Sequence, residues 1–295
     1  MKNHKITKAV IAVAGYGTRF LPATKNQPKE MLPIIDKPIV QYLVEEAVNS
    51  GIKDIILVTR FGQSALENHF DTNMELEIQL TKNGKKETLK KIQKIYRMAN
   101  YVYVRQGRHL PYGNGTPLLC VRDLMSKGEP FVYMFGDDLV LSKKPCVKQM
   151  LEYWKKHRFA PCVAVQEVPD SELDRYGVYK LKKGSHDRVE DAVEKPAKGK
   201  APSNLAQFGR FILNTDIIDI LKKNHDNKKL GKDNELWLTD AIIEYAKKRP
   251  VYAVRIEGRW MTTGDPLRFM KTAVEFALER EDIGQEFREF LKSVC

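Results

Sequence analysis

The chain has 295 residues, 42% of them hydrophobic, which suffices for the core of one large α/β domain or two small ones. No stretch approaches the about eighteen apolar residues of a membrane span, and Met1-Lys2-Asn3-His4-Lys5 leads into a strand rather than a signal-peptide core, so a cytoplasmic protein without a membrane partner is expected. The net charge of +12, from 50 Lys+Arg against 38 Asp+Glu, favours acidic ligands without saying which.

Lys8 to Val13 is a short β-branched run with no helical period, which predicts a strand buried on both faces. The loop after it, Ala14-Gly15-Tyr16-Gly17-Thr18-Arg19, offers glycine backbone N–H groups, a hydroxyl and a guanidinium, with Lys29 as a second cation. Taken alone, Gly-x-Gly after a strand fits a plain tight turn as well as a phosphate loop. It is not a dinucleotide fingerprint, because Phe20 and Pro22 stand where a small residue and a helix belong, and it lacks the Gly-Lys-Ser/Thr of a Walker loop.

Asp36-Lys37-Pro38 predicts a helix start with proline in the first turn, and Val40, Leu43, Val44, Ala47 and Val48 form its apolar stripe up to Gly51. Strands are predicted at Asp54 to Thr59 and Tyr101 to Val104, with helical signals at Gln63 to Asn68 and Glu87 to Met98 between them. The lysine-rich stretch Lys82 to Arg97 carries Leu89, Ile92 and Ile95 at helical spacing. That pattern describes the solvated face of an amphipathic helix rather than a nucleic-acid patch, and no stacking motif accompanies it, so no nucleic-acid partner is expected. Thr116 and Pro117 predict an N-cap and first residue for a helix through Leu124, and Pro130 to Phe135 predicts a strand ending in Gly136-Asp137-Asp138.

The second half is strand-rich, at Cys162 to Gln166, Tyr176 to Leu181, Val189 to Val193 and Gly209 to Leu213, which predicts a mixed sheet there. Helices are predicted at Thr215 to Lys222 and Leu238 to Lys247, and a final helical pair begins at Asp265-Pro266 with Asp265 as N-cap. Repeated β-then-α units predict an open sheet covered by helices, with ligands off the carboxyl ends of the strands. No linker separates independent domains. Cys120, Cys146, Cys162 and Cys295 show no metal or redox spacing and are expected to be reduced and mostly buried.

Asp137 and Asp138 offer oxygen ligands for a hard cation such as Mg²⁺, and Glu194-Lys195-Pro196 sets an acid beside a base. With Gly-x-Gly-Thr-Arg, Phe20 to Lys25, Pro28 to Pro33, Val104 to Gly107, Tyr176-Gly177-Val178, Gly209-Arg210 and Leu238 to Ile242, these motifs cover nearly the whole chain. In this order the sequence resembles the bacterial UTP:glucose-1-phosphate uridylyltransferases, a branch of the sugar-1-phosphate nucleotidyltransferases.

The resemblance implies a three-layer, Rossmann-like α/β nucleotidyltransferase fold with a mixed, mainly parallel central sheet. It implies one domain over 1–295, with a nucleotide half at 1–140, a sugar-phosphate half at 141–258 and C-terminal helices at 259–295. The implied reaction joins UTP and glucose 1-phosphate to give UDP-glucose and pyrophosphate, with Mg²⁺ held at Asp137, in a homodimer or homotetramer. Arg19, Lys29, Asp137 and Lys195 would be catalytic. Ala14, Gly15, Gly17, Thr18, Glu30, Gln106 and Gly113 would bind nucleotide, and Gly177, Glu194 and Gly209 would bind sugar. The chain departs from the family's pattern at Ala12-Val13, at Gly136, in a longer loop at Tyr112 to Pro117, and at Thr262, where an aspartate is usual. An inactive nucleotide-sugar-binding homologue, or the same reaction with another nucleotide or sugar, stays open on these departures.

Overall fold

In the computed structural model, residues 5–294 are described. The lead-in Met1 to His4 and the thiol of Cys295 lie outside them. Strand β1 (Lys8–Ala12) alternates between two cores, Ala9 and Ile11 on one face and Val10 on the other, all fully buried, which is why it reads as a continuous apolar run. The glycine loop follows, then a hairpin of two-residue strands, β2 (Pro33–Ile34) and β3 (Lys37–Pro38). Helix α1 (Ile39–Asn49) therefore starts later than the Asp36 expected from sequence. Pro38 is its extended N-cap rather than a first-turn residue, because Lys37 is already paired with Ile34.

Strand β4 (Asp54–Thr59) runs parallel to β1, and α2 (Ser64–His69), α3 (Met74–Lys82) and α4 (Lys86–Arg97) come next. The sequence gives no helical warning of α3, since Met74, Leu76, Ile78 and Leu80 alternate with polar residues as in a strand. It is helical because its residues are strong helix formers and Asn73 caps it, accepting from the Leu76 N–H at 3.0 Å. No residue of α4 is fully buried, as expected of a solvated face.

Strand β5 (Asn100–Arg105) closes the parallel edge, and α5 (Thr116–Cys120) is shorter than predicted, giving way to a 3-10 turn at Arg122–Leu124. Thr116 is not its N-cap. Gly115 holds that position, and the Thr116 hydroxyl turns inward to donate to the Pro111 carbonyl at 2.8 Å. Then come β6 (Pro130–Phe135), β7 (Asp138–Leu141), α6 (Cys146–Lys156), β8 (Cys162–Glu167), β9 (Gly177–Leu181), β10 (Val189–Glu194) and β11 (Leu205–Asn214). The chain finishes with α7 (Thr215–Asp226), α8 (Leu238–Ala246), β12 (Tyr252–Arg255), β13 (Arg259–Thr262), α9 (Pro266–Leu278) and α10 (Gly284–Val294).

The main sheet runs β10-β9-β11-β6-β1-β4-β5, with β8 and β12 branching from β11. It is parallel from β6 to β5 and turns antiparallel at β11, so the mixed sheet expected in the second half begins at that strand. Helices α1 and α6 cover one face while α5, α7 and α8 cover the other, giving the predicted three layers. Asp265 caps α9 as expected, accepting from the Arg268 N–H at 3.0 Å. The thiols of Cys146 and Cys162 are buried and free, and Cys120 is partly exposed and free. No helix among the described residues is long and apolar enough to cross a membrane.

Candidate active site

A deep cleft opens off the carboxyl ends of β1, β5 and β6 and is closed on its far side by β9, β10 and the segment before α8. The loop after β1 forms its floor. Gly17 adopts a left-handed φ of 63°, and the Thr24 hydroxyl donates to its carbonyl at 2.8 Å. Any side chain at position 17 would meet Lys29 Cβ at 3.2 Å, so the turn and the lysine are packed as one piece. Arg19 is exposed in the cleft, with Nη1 donating to the Gly264 carbonyl at 3.2 Å.

Lys29 Nζ lies 2.6 Å from Asp137 Oδ2 and 3.9 Å from Glu30 Oε1. Burial would lower the Lys29 ammonium, but Asp137 and Glu30 together push it up to about 12. Burial raises the Asp137 carboxyl, and the Lys29 ammonium more than reverses this, leaving it below its ordinary range. One ammonium cannot keep both neighbours ionised, and the nearer Asp137 holds the charge. Glu30, buried and with Oε2 unpartnered, is pushed up to about 8, chiefly by burial.

Asp138, one residue on, faces the protein. Its Oδ2 accepts from the Gly209 N–H at 2.8 Å and its Oδ1 from Trp260 Nε1 at 2.8 Å. Burial, together with the Asp137 charge, raises it to about 6. Of the two adjacent aspartates, Asp137 alone is thus left for a cation. Arg210, fully buried, anchors this turn from below by donating to the Asp138 carbonyl at 2.9 Å and to Glu46 Oε2 at 2.7 Å.

The far wall carries the other predicted group. Glu194 ends β10, buried, with Oε2 accepting from the Thr239 hydroxyl and from Gln207 Nε2 at 3.1 Å. Burial raises its carboxyl despite those hydrogen bonds. Gly177 leaves room for this network, since a Cβ there would stand 2.4 Å from Gln207 Nε2. Lys195 follows in a left-handed turn at φ 47°, with Nζ 3.1 Å from Glu235 Oε2.

At the remaining end, the Gln106 N–H donates to the Thr59 carbonyl at 2.8 Å, and Gly113 takes a φ of 129° against the 236–238 segment. Leu236 N–H donates to the Tyr112 carbonyl at 2.7 Å and Gly115 N–H to the Leu236 carbonyl at 2.9 Å. Ala14, Gly15, Gly17, Thr18, Arg19, Lys29, Glu30, Gln106, Gly113, Asp137, Gly177, Glu194 and Lys195 therefore line one pocket. Gly209 does not line it. It is buried behind the wall, where a Cβ would meet Phe135 Cβ at 2.3 Å, and its N–H is taken by Asp138.

A single pocket with a glycine loop, two cations and an acid suits a triphosphate. Among the described residues no cluster of three or more His, Cys, Asp or Glu is placed to hold a metal unaided. One carboxylate with the Thr262 hydroxyl nearby, donating to the Asp137 carbonyl at 3.4 Å, fits a Mg²⁺ that takes most of its oxygens from substrate phosphates and water.

The nucleotidyl transferase family model matches residues 8–278. The chain belongs to that family. It is 44% identical over 292 residues to a UTP–glucose-1-phosphate uridylyltransferase of Staphylococcus epidermidis, covering 98% of this chain and 99% of that one. Among solved structures it is similar to the UTP-bound UDP-glucose pyrophosphorylase of Acinetobacter baumannii, 33% identical, with a TM-score of 0.87 over 99% of this chain and all of that one. It is also similar to a UDP-glucose pyrophosphorylase complexed with UDP-glucose, 36% identical, with a TM-score of 0.82 over 94% of this chain and 100% of that chain. The family fold expected from the sequence motifs is the fold found.

Sequence reasoning missed several residues of the pocket wall. Arg60 stacks over Tyr16 at 4.7 Å and Tyr16 faces Tyr112 at 6.1 Å, forming an aromatic rim on the pocket. Gln207 and Glu235 carry no local motif, and their significance appears only through Glu194 and Lys195, which the fold brings to them.

Proposed function

We propose that this chain joins UTP and glucose 1-phosphate to give UDP-glucose and pyrophosphate, reversibly, in this pocket. The observation that carries the reading is the convergence, on one cleft, of the glycine loop with Arg19, Lys29 and Asp137 on one wall and Glu194 with Lys195 on the other. A sugar-phosphate oxygen attacks the α-phosphorus of UTP in line, the bond to the β-phosphate oxygen breaks, and pyrophosphate leaves with that electron pair. The attacking phosphate is already ionised, so no side chain is needed as a base. Positioning and charge neutralisation carry the rate.

Arg19 and Lys29 balance the triphosphate, and Lys195 holds the sugar phosphate. Ala14, Gly15, Gly17, Thr18 and Glu30 cradle the nucleotide. Gln106 and the Gly113 backbone read the uracil, and Gly177 with Glu194 takes the sugar hydroxyls. Gly209 contributes by close packing behind them. Asp137, with Thr262 beside it, would hold a Mg²⁺, which when bound spreads the phosphate charge. Residues 1–140 serve the nucleotide and 141–258 the sugar phosphate, with 259–295 buttressing both. The exposed Leu267, Met270 and Phe290 of the last two helices favour a homodimer or homotetramer. The free thiols suit a reducing compartment, the cytoplasm.

The test is product analysis with UTP, glucose 1-phosphate and Mg²⁺. UDP-glucose and pyrophosphate are expected in equal amounts, and only with all three present. Binding of UDP-glucose with no turnover in either direction would reject the reading in favour of a non-catalytic homologue.

A further inference from the structure

Lys195 is the cation that the proposed reaction assigns to the sugar phosphate, and the argument below rests on that reading. In this structure the lysine already holds an anion, with its Nζ 3.1 Å from Glu235 Oε2. The same oxygen accepts from Trp237 Nε1 at 2.9 Å, so an ammonium and an indole N–H converge on one carboxylate oxygen. Burial raises the Glu235 carboxyl, but the Trp237 and Lys195 hydrogen bonds outweigh it and bring it below its ordinary range. Both Lys195 and Glu235 line the pocket.

Both partners are fixed at the backbone, so any exchange falls to their side chains. Lys195 is pinned by its backbone, with its N–H donating to the Tyr176 carbonyl at 3.0 Å beside the end of β10. Glu194, its neighbour, is buried in hydrogen bonds to Thr239 and Gln207 and cannot turn to meet it. Glu235 follows a turn in which Asp233 and Asn234 have left-handed φ values of 57° and 58°; its N–H donates to the Lys232 carbonyl at 3.2 Å, its carbonyl accepts from the Gly231 N–H at 2.8 Å, and its carboxylate is held by Lys195 and Trp237. The next residue, Leu236, is tied at both backbone groups to Tyr112 and Gly115, so an exchange of partners at Lys195 is confined to the Glu235 side chain.

We propose that Glu235 is a resident anion occupying the sugar-phosphate position on Lys195, displaced when substrate enters, and so a specificity-determining residue for that substrate. A phosphate dianion brings more charge and more acceptor oxygens than one carboxylate and wins the exchange. A neutral sugar does not, so Lys195 stays masked until a phosphorylated sugar arrives. Glu235 thus trades affinity for selectivity.

Glu235→Gln keeps the size and an acceptor for Trp237 but removes the charge. At saturating UTP its KM for glucose 1-phosphate is expected to fall about two- to fivefold, the scale of one half-exposed ion pair, with the KM for UTP unchanged. Calorimetric binding of inorganic phosphate should tighten by a similar factor and be lost in the Lys195→Ala, Glu235→Gln double variant. Glu235→Asp, which shortens the reach, should shift both in the same direction by less. An unchanged or raised KM with no tighter phosphate binding would overturn the proposal and leave Glu235 as a support for Lys195. If the wild type turns over no nucleotide at all, the uridylyltransferase reading fails, and the phosphate titration still decides whether Glu235 masks Lys195.

Discussion

The charged residues of this pocket differ most in what they already touch. The Lys195 ammonium pairs with Glu235 across a partly exposed contact, which is worth little to stability. Lys195→Ala is therefore expected to leave the melting temperature within about 2 °C while costing roughly 2–4 kcal/mol in turnover, two to three decades in rate. Steady-state kinetics within threefold of wild type would remove it from the sugar-phosphate site. Thr262 stands beside Asp137 without the charge of an aspartate, so Mg²⁺ should bind loosely until nucleotide phosphates complete its shell. Thr262→Asp should lower the Mg²⁺ concentration for half-maximal rate, and an unmoved titration would show that position 262 does not face the metal. Glu30 gives a pH signature. Its folded value of about 8 lies above the ordinary 4.5, so its contribution to stability is complete below 4.5 and is lost as pH rises through 8. Melting temperature should fall as pH rises from 4.5 to about 8 in the wild type and stay flatter in Glu30→Gln, and parallel curves would contradict a neutral buried carboxyl.

At the scale of elements, the loop before α5 and the segment before α8 behave as one strip. Gly113 is the tightest point, where a Cβ would sit 2.3 Å from the Leu236 carbonyl oxygen on a backbone with φ 129°. Gly113→Ala should cost about 1–3 kcal/mol and raise the KM for UTP, measured by thermal melting and initial rates. A normal KM would place uracil elsewhere. The strands that carry the loop and the aspartates could be read from their β-branched runs, as β1, β4 and β6 show. The β7–β13 pair was not readable, because Arg259 to Thr262 is only four residues long and is made a strand by its register with Asp138 to Leu141. Helix α3 was not readable either, since its apolar residues alternate with polar ones and show no helical period.

For the whole molecule, the joining strand is β11, which lies against β8 along one edge and on the other against β6 over Arg210–Asn214 and β9 at Ala206. Buried Arg210 on that strand links the Asp138 turn to Glu46 on α1, so the turn that presents Asp137 is tied to both β11 and α1. The glycine loop, Asp137 and the Glu194-Lys195 pair were legible because each is a local motif. Glu235, Gln207 and the Tyr16–Tyr112 rim were not, because each acquires its meaning from a residue distant in sequence. The reaction itself is tested most directly by kcat/KM for wild-type enzyme over a grid of UTP, dTTP, CTP, ATP and GTP against glucose, galactose, mannose and N-acetylglucosamine 1-phosphates. The pair of UTP with glucose 1-phosphate should exceed every other by about tenfold or more, the discrimination one or two well-placed hydrogen bonds supply. Equal or higher values for dTTP, or for another sugar phosphate, would contradict the account.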